Sequence, residues 1–138
     1  MCSSDLCIGV DVIVGSPGET DNYFKESFEF IHALDIAYLH VFTYSERAAT
    51  KALTIKPIVP LAKRHERNKI LRNLSYQKLQ YFTQTQIGST RKVLFESPKA
   101  SKENENNLLL EGYTDNYIKV STPYREQWSN QIIDWKLM

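Results

Sequence analysis

The stretch V-D-V-I-V-G-S-P-G-E-T, which runs from Val10 to Thr20, decides how the first part of the chain folds. Its apolar run breaks into a turn rich in Pro and Gly that leads straight into an amphipathic segment. This order predicts a βα unit whose loop lies at the carboxyl end of the strand, where α/β folds place their ligands. The alternation predicts one apolar strand face that packs under helices and one smaller, more polar face that carries Asp11 and Ile13.

A helix and a second strand follow this turn. Thr20 is a good N-cap, and the helix is predicted to run to about Leu34 with an apolar stripe on one side. The residues of that stripe are Phe24, Phe28, Ile31, Phe30 and Leu34. The next strand is predicted over residues 37–43, with Leu39 and His40 on opposite faces. Two strands joined by a helix predict a parallel crossover.

A long helix is predicted after an extended segment over residues 54–60, and it ends at about Gln86. Its packing stripe consists of Ile70, Leu71, Leu74, Tyr81 and Phe82. The first turns of the same side carry Lys63 and Arg67, in a segment (59–87) that holds 6 Lys/Arg against 1 Asp/Glu. Such a basic face is either solvated or in contact with nucleic acid, and the sequence leaves both interpretations open.

A different pattern begins after Gly88. Short alternating segments separated by polar turns predict strands over 91–96, 108–110, 116–122 and 131–137, with a polar loop over 99–107. In the third of these strands, Ile118 and Val120 point in while Tyr117 and Lys119 point out. Short antiparallel strands of this kind predict a small barrel. The predicted organisation is therefore a βα domain over 1–58, a linker helix over 59–87 and a β-barrel over 88–138.

Composition says little about partners. The 138 residues carry a formal net charge of +1, and no segment approaches the ~20 apolar residues of a membrane helix. The N-terminus lacks a signal-peptide pattern, so a cytoplasmic protein without membrane contact is predicted. Cys2 and Cys7 have a C-x4-C spacing, and two thiolates are too few for a four-iron cluster. His32 and His65 have no second ligand at a metal-binding spacing, so no metal site is predicted.

The segment D-V-I-V-G-S-P-G-E-T (11–20) resembles the fifth-strand segment of the radical S-adenosylmethionine (SAM) methylthiotransferases. The resemblance implies that Ile13, Gly15 and Glu19 lie at the SAM pocket. The segment Y-S-E-R-A-A-T (44–50) resembles a loop of the same family, in which Arg47 would steer an anionic group; a surface salt bridge is the alternative. His40, on the predicted interior face, is a further candidate for cofactor contact, with a packed and hydrogen-bonded histidine as the alternative.

The segment G-Y-T-D-N-Y-I-K-V (112–120) resembles the TRAM domain, the small RNA-binding barrel of these enzymes. Together with Y-S-E-R, it is similar to the subfamily that acts on threonylcarbamoyladenosine at position 37 of tRNA. The resemblance implies tRNA as a partner. The candidate RNA-binding residues on the long helix and near the barrel are Lys63, Arg67, Arg91, Lys92, Tyr117 and Lys119.

The family adds a methylthio group to carbon 2 of adenine with SAM and two 4Fe–4S clusters, and this chain has none of the cluster ligands. We therefore expect an α/β plus all-β chain: the C-terminal piece of a radical SAM partial (βα) barrel, a linker helix and an OB-like TRAM barrel. We expect no catalytic residue and no bound cluster in it, and a cluster-bearing N-terminal half as its partner. Three alternatives stay open: a stand-alone RNA-binding module, a methylthiotransferase of the isopentenyladenosine or ribosomal-protein subfamily, and an unrelated βα enzyme with a β appendage.

Overall fold

The structure is a computed structural model that describes residues 5–100 and 108–138. Its first half contains β1 (Gly9–Val14), α1 (Asp21–Ala33), β2 (Tyr38–Thr43), a 3₁₀ turn (Lys51–Thr54) and α2 (Leu61–Gln86). Its second half contains β3 (Thr90–Phe95), β4 (Lys99–Ala100), β5 (Leu108–Thr114), β6 (Lys119–Pro123), a 3₁₀ turn (Glu126–Trp128) and β7 (Ile132–Lys136). Residues 8–82 form one compact unit, here called the βαβ unit, and the other described residues form a second, here called the sheet unit.

The βαβ unit contains the predicted parallel crossover. β1 pairs with β2 in parallel, with Gly9 opposite Tyr38 and Val14 opposite Thr43. The apolar face of these strands is buried against both helices, as the alternation predicts. Its core consists of Val14, Ile31, Leu39, Leu71 and Leu74, with Val10, Val12, Phe24, Phe28, Ile36 and Val41 packed around it.

The predicted start of α1 is confirmed, whereas its predicted apolar stripe is confirmed only in part. The hydroxyl of Thr20 accepts a hydrogen bond from the N–H of Tyr23 at 3.2 Å and so caps α1. Phe30 is 66% exposed, and its assignment to the packing stripe is wrong. Because each helical residue turns by about 100°, Phe30 lies about 200° around the axis from Phe28. It therefore faces away from the strands.

The second helix covers the outer edge of β2 with side chains in place of a strand. The Ser75 hydroxyl donates to the carbonyl of Leu39 at 2.9 Å and accepts from its N–H at 2.8 Å. The Asn68 amide donates to the carbonyl of Val41 at 3.2 Å. These bonds satisfy backbone groups that an open edge would expose. Within the described residues, the opposite edge, that of β1, pairs with no strand.

The predicted stripe of α2 is correct at three positions and wrong at two. Leu71, Leu74 and Phe82 are buried, whereas Ile70 and Tyr81 are exposed. Each of the two exposed residues directly precedes a buried one, and is therefore turned about 100° away from the packing side.

The sheet unit is an antiparallel sheet with the order β4–β5–β3–β7, and β6 pairs with β5 as well. Its interior is formed by Val93, Phe95, Leu110, Ile118, Val120 and Leu137. In β7, Ile133 and Trp135 are more buried than Asp134 and Lys136, as predicted. Gly112 lies at the tight contact between β5 and β3, where a Cβ atom would collide with the backbone carbonyl of Leu94.

The strand pairing does not close into the predicted barrel. Across residues 5–100 and 108–138, no pairing joins β6 to β7, so the sheet is open. The described chain is thus a mixed helix-and-sheet structure whose second unit contains an open antiparallel sheet. Of the predicted polar loop over 99–107, the first two residues form β4, and the rest lie outside the described residues.

Candidate functional site

The loop after β1 is closed by the carboxylate of Glu19. Its Oε2 accepts the N–H of Gly15 at 3.0 Å, and its Oε1 accepts Nη1 of Arg67 at 2.6 Å. Gly15 and Gly18 have φ angles of 79° and 86°, which glycine adopts without strain. Glu19, interpreted from sequence as a cofactor contact, therefore uses both carboxylate oxygens inside the protein.

Arg67 is a buried residue and does not belong to an exposed basic face. It is 3% exposed, and it donates to the carbonyl of Glu19 at 3.0 Å and to Oδ1 of Asp21 at 2.8 Å. Its guanidinium lies 5.2 Å from the ring centre of Phe24. The hydrogen bond from Arg67, followed by the charge of Lys63, lowers the pKa of Asp21. The prediction of an exposed basic face is therefore wrong at Arg67, because acidic groups of the β1 loop enclose its charge.

Arg64 makes the corresponding contacts with the loop after β2. It is 5% exposed; its Nε donates to the carbonyl of Val59 at 2.8 Å, and its Nη1 donates to the carbonyl of Tyr44 at 3.2 Å and to the Glu46 carboxylate at 3.1 Å. The hydrogen bond from Arg64 lowers the pKa of Glu46. The stem of Arg64 crosses Gly15, where a Cβ atom would stand 2.9 Å from Cβ of the arginine. Arg64 thus contacts the ends of both strands.

A pocket of about 340 Å³ lies beside these strand ends. Ile13 and Phe42 are register partners across β1 and β2, and they are 59% and 54% exposed. The residues that line the pocket are Ile13, Phe42, Thr43, Tyr44, Ser45, Arg47, Thr50 and Ala52. Arg47 pairs with no carboxylate within the described part of the chain. The pocket therefore offers apolar side chains beside one cation.

The structure brings together only part of the predicted cofactor set. Ile13 and Arg47 line the pocket, whereas Gly15, Glu19 and His40 are outside its lining. Gly15 lies under Arg64, and His40 is exposed, with its ring perpendicular to that of Tyr38 and 5.0 Å between the ring centres. The sequence interpretation missed Phe42 and Tyr44. The available signal was an aromatic residue on the exposed strand face, directly before the loop.

A pair of stacked tyrosines lies on the surface of the sheet unit. The rings of Tyr113 and Tyr117 are 5.0 Å apart at 21°, and Tyr117 is 58% exposed. Tyr117 belongs to the turn before β6, with φ of 68°, and not to the predicted strand. Tyr113 is the register partner of Leu94, which in turn is the partner of Ile132, so the pair continues into an exposed apolar row. Tyr113 was not among the predicted residues.

The predicted cations of the sheet unit all have acidic partners. Lys119 lies 2.7 Å from Glu111, and Lys92 lies 3.3 Å from Asp134. The hydrogen bond with Glu111 raises the pKa of Lys119. Arg91 is largely buried and contacts Asp5 at 3.1 Å. Lys63, on α2, pairs with Glu66 at 3.2 Å and with Asp21 at 3.6 Å. Any phosphate would therefore compete with carboxylates that are already in place.

The described residues do not fit an iron–sulfur cluster. No group of three or more His, Cys, Asp or Glu side chains converges anywhere in residues 5–100 and 108–138. Cys7 is half-buried, and burial raises the pKa of its thiol, which disfavours the thiolate that ligates iron.

Within residues 5–100 and 108–138, no helix combines the length and the apolar character that a bilayer crossing requires.

Comparison with known proteins gives consistent matches. Two threonylcarbamoyladenosine tRNA methylthiotransferases MtaB are similar: that of Aquifex aeolicus is 38% identical over 109 residues, and that of Bacillus subtilis is 35% identical over 133 residues. These matches cover 78% and 96% of this chain but 27% and 29% of the relatives. A tRNA-2-methylthio-N(6)-dimethylallyladenosine synthase of Coxiella burnetii is 31% identical over 112 residues, 81% of this chain and 25% of that protein. No family profile matches.

The chain is therefore similar over most of its length to tRNA methylthiotransferases, and it spans between a quarter and three tenths of the length of these relatives. Within that class, four proteins of the MtaB type match it at 32–38% identity over most of its length.

Proposed function

We propose that the chain is the C-terminal part of a radical SAM enzyme that adds a methylthio group to carbon 2 of threonylcarbamoyladenosine at position 37 of tRNA. The observation that carries this proposal is the similarity to MtaB proteins over 78–96% of the chain in two of them. The 4Fe–4S clusters would be held by the N-terminal half of the same enzyme, because the residues described here do not fit them. The strand edge of β1, which no described strand covers, is where that half would continue the parallel sheet.

The pocket at the strand ends is the proposed site for SAM. Its volume of about 340 Å³ is at the lower end of the range of about 300–1,000 Å³ for small-molecule sites. Ile13 and Phe42 would contact the adenine, and Arg47 would pair with the carboxylate of the methionine part. SAM, when bound, supplies the radical chemistry of the family's reaction. This chain's residues would bind and orient it and exclude water from one wall of the pocket.

Titration with S-adenosylhomocysteine, followed by NMR of the chain, tests the pocket. We expect shifts confined to the residues that line it, and weaker binding in Phe42→Ala and Arg47→Ala. The matched control is Phe30→Ala, since Phe30 is at least as exposed as Phe42 but lies on α1 outside the pocket. The assignment fails if the wild-type chain does not bind, or if the control weakens binding as much as Phe42→Ala does.

The sheet unit is the proposed TRAM-type RNA contact, and base stacking would dominate its affinity. Tyr113 and Tyr117 already stack on each other, and Tyr117 leaves more than half of its surface to solvent. Every nucleobase has a π-face that such a ring can accept. Lys92 and Lys119 would contribute less, because each has a carboxylate partner at 2.7–3.3 Å. Lys63, with two carboxylate partners, would contribute as little.

Binding of a tRNA anticodon stem-loop at several salt concentrations tests this interface. Tyr117→Ala should cost about 1–3 kcal/mol with an unchanged salt dependence, since the lost contact is uncharged. Glu111→Gln should strengthen binding and steepen the slope of log K against log salt by about 0.7, because it releases Lys119 to a phosphate. Tyr81→Ala is the control, since Tyr81 is exposed on α2. Equal losses at Tyr81 and Tyr117 would contradict a specific stacking site.

A further inference from the structure

Two arginines one helical turn apart on α2 reach the two loops that follow β1 and β2. Both side chains are at least nine-tenths buried. Arg67 holds the first loop through the carbonyl and carboxylate of Glu19, and Arg64 holds the second through the carbonyl of Tyr44 and the carboxylate of Glu46. One helix therefore fixes both loops at the end of the sheet where the pocket opens.

We propose that Arg64 and Arg67 are positioning residues that set the shape of the pocket without contacting its ligand. The proposal rests on the proposed function, because it assigns the pocket to SAM. Neither arginine lines the pocket, but Tyr44, a partner of Arg64, does. The contacts of Arg67 reach Gly15, two residues from the lining residue Ile13, through Glu19. Arg64 binds Tyr44 and Glu46, which lie next to Ser45 and Arg47 in the chain.

The contacts of Arg64 on Tyr44 fix that residue at two points. The guanidinium donates to its carbonyl at 3.2 Å and lies 5.4 Å from its ring centre. The same guanidinium binds the carboxylate of Glu46 through two nitrogens, Nη1 and Nη2. The planar guanidinium has donors in several directions, so it can bind a carbonyl and a carboxylate at once. The ammonium of lysine is a compact point charge that cannot reproduce this geometry.

Arg67 acts on the first loop through a relay. Glu19 receives Arg67 on Oε1 and the N–H of Gly15 on Oε2. Gly15 is two residues from Ile13, the apolar wall of the pocket. Loss of the arginine would leave the Glu19 carboxylate, only 18% exposed, without its cationic partner. Breaking a buried pair in this way costs far more than breaking a surface pair.

The experiment compares Arg64→Lys and Arg67→Lys with Arg72→Lys, a control on the exposed side of the same helix. Amide hydrogen exchange is followed at Tyr44, whose N–H bonds to the carbonyl of Val14 at 2.8 Å, and at Gly15. We expect about 10- to 100-fold faster exchange at Tyr44 in Arg64→Lys and at Gly15 in Arg67→Lys, the effect of losing a charge-assisted hydrogen bond. Exchange within β1, β2 and the core of α2 should be unchanged.

Binding of S-adenosylhomocysteine to the same variants is the second measurement. In the two arginine variants, we expect the affinity for S-adenosylhomocysteine to fall as amide exchange in the loops becomes faster. In Arg72→Lys, we expect the wild-type affinity. Wild-type exchange rates at Tyr44 and Gly15 in the variants would overturn the proposal, and so would equal acceleration at all amides, which indicates a purely structural role. Failure of the wild-type chain to bind S-adenosylhomocysteine would instead refute the SAM assignment, while the exchange rates alone would still decide whether the arginines position the loops.

Discussion

Gly15→Ala is the substitution that best separates a glycine required by a ligand from a glycine required by the protein itself. Gly15 has a φ of 79°, and the stem of Arg64 crosses it. An alanine there meets two costs: about 1–2 kcal/mol for a left-handed backbone in an L-residue, and about 1–3 kcal/mol for the collision with the arginine. We expect the βαβ unit to lose about 2–5 kcal/mol, a large part of the usual stability of a domain.

A double-mutant cycle with Arg64→Ala isolates the part of the collision that involves the arginine side chain beyond its Cβ. Once that part is removed, the backbone strain of Gly15→Ala and its 2.9 Å contact with the Cβ of residue 64 remain. The double variant should therefore be more stable than the sum of the two single effects predicts, by up to about 3 kcal/mol. Gly88→Ala is the matched control, because its φ is 88° and a Cβ there meets nothing within 4 Å. Gly88→Ala should therefore lower the free energy of unfolding only by the cost of the backbone strain, about 1–2 kcal/mol.

Urea unfolding with two probes reads these effects separately for the two units. Far-UV circular dichroism follows mainly α1 and α2, whereas tryptophan fluorescence follows the sheet unit, which holds both tryptophans, Trp128 and Trp135. Gly15→Ala should move the dichroism transition and leave the fluorescence transition nearly in place. Additive effects of Gly15→Ala and Arg64→Ala would refute the reasoning. So would equal costs at Gly15 and Gly88.

Two further predictions concern the sheet unit and the loop after β2. Gly112→Ala should destabilise the sheet unit by about 3 kcal/mol or more, because the new Cβ meets backbone of Leu94 that cannot rotate away; an unshifted fluorescence transition would contradict this. The lowered pKa of Glu46 means that its contribution is present above its ordinary value of 4.5 and is lost as pH falls through the lowered value. Exchange protection at Tyr44 should therefore decline only below about pH 4.5, and Arg64→Ala should remove this acid dependence; an identical pH profile in that variant would exclude the ion pair as its cause.

The parts of the fold that follow from local alternation and capping could be predicted from the sequence. The apolar face of β1 and β2, the N-cap at Thr20 and the end of α2 at Gln86 agree with the structure. Each depends on residues within one or two turns of one another. The open sheet could not be predicted in the same way, since closure of a barrel depends on which edges meet, and strand composition does not specify that.

The turn before β6 shows where alternation fails. The predicted strand began at Asn116, but the backbone bonds of the turn extend from Thr114 to Ile118, and Tyr117 takes a left-handed conformation within it. A tyrosine rarely adopts that conformation, so composition favours a strand. The exposed direction of Tyr117 was nevertheless correct, because both conformations leave its side chain on the outside.

The spacing of the two buried arginines on α2 indicated burial, but the sequence analysis predicted an exposed basic face. The buried positions of α2 begin with Arg64, Arg67, Leu71 and Leu74, spaced by three, four and three residues. This spacing is that of a core stripe, and it continues the two leucines back into the first turns. Because arginine residues are mostly exposed in proteins, the charge of Arg67 outweighed its position in the sequence-based prediction. The decisive partners, Glu19 and Glu46, are far away in sequence.

The same correction changes what the charge of the helix segment means for RNA. Two of its 6 Lys/Arg are enclosed by carboxylates and carbonyls of the βαβ unit, and a third, Lys63, pairs with Glu66 and Asp21. A charge that is already neutralised releases few counterions when RNA binds, so it adds little to the salt dependence of binding. Counting basic residues along the chain therefore overestimates the electrostatic part of the interface, and the stacked Tyr113 and Tyr117 become the stronger reason to expect RNA contact.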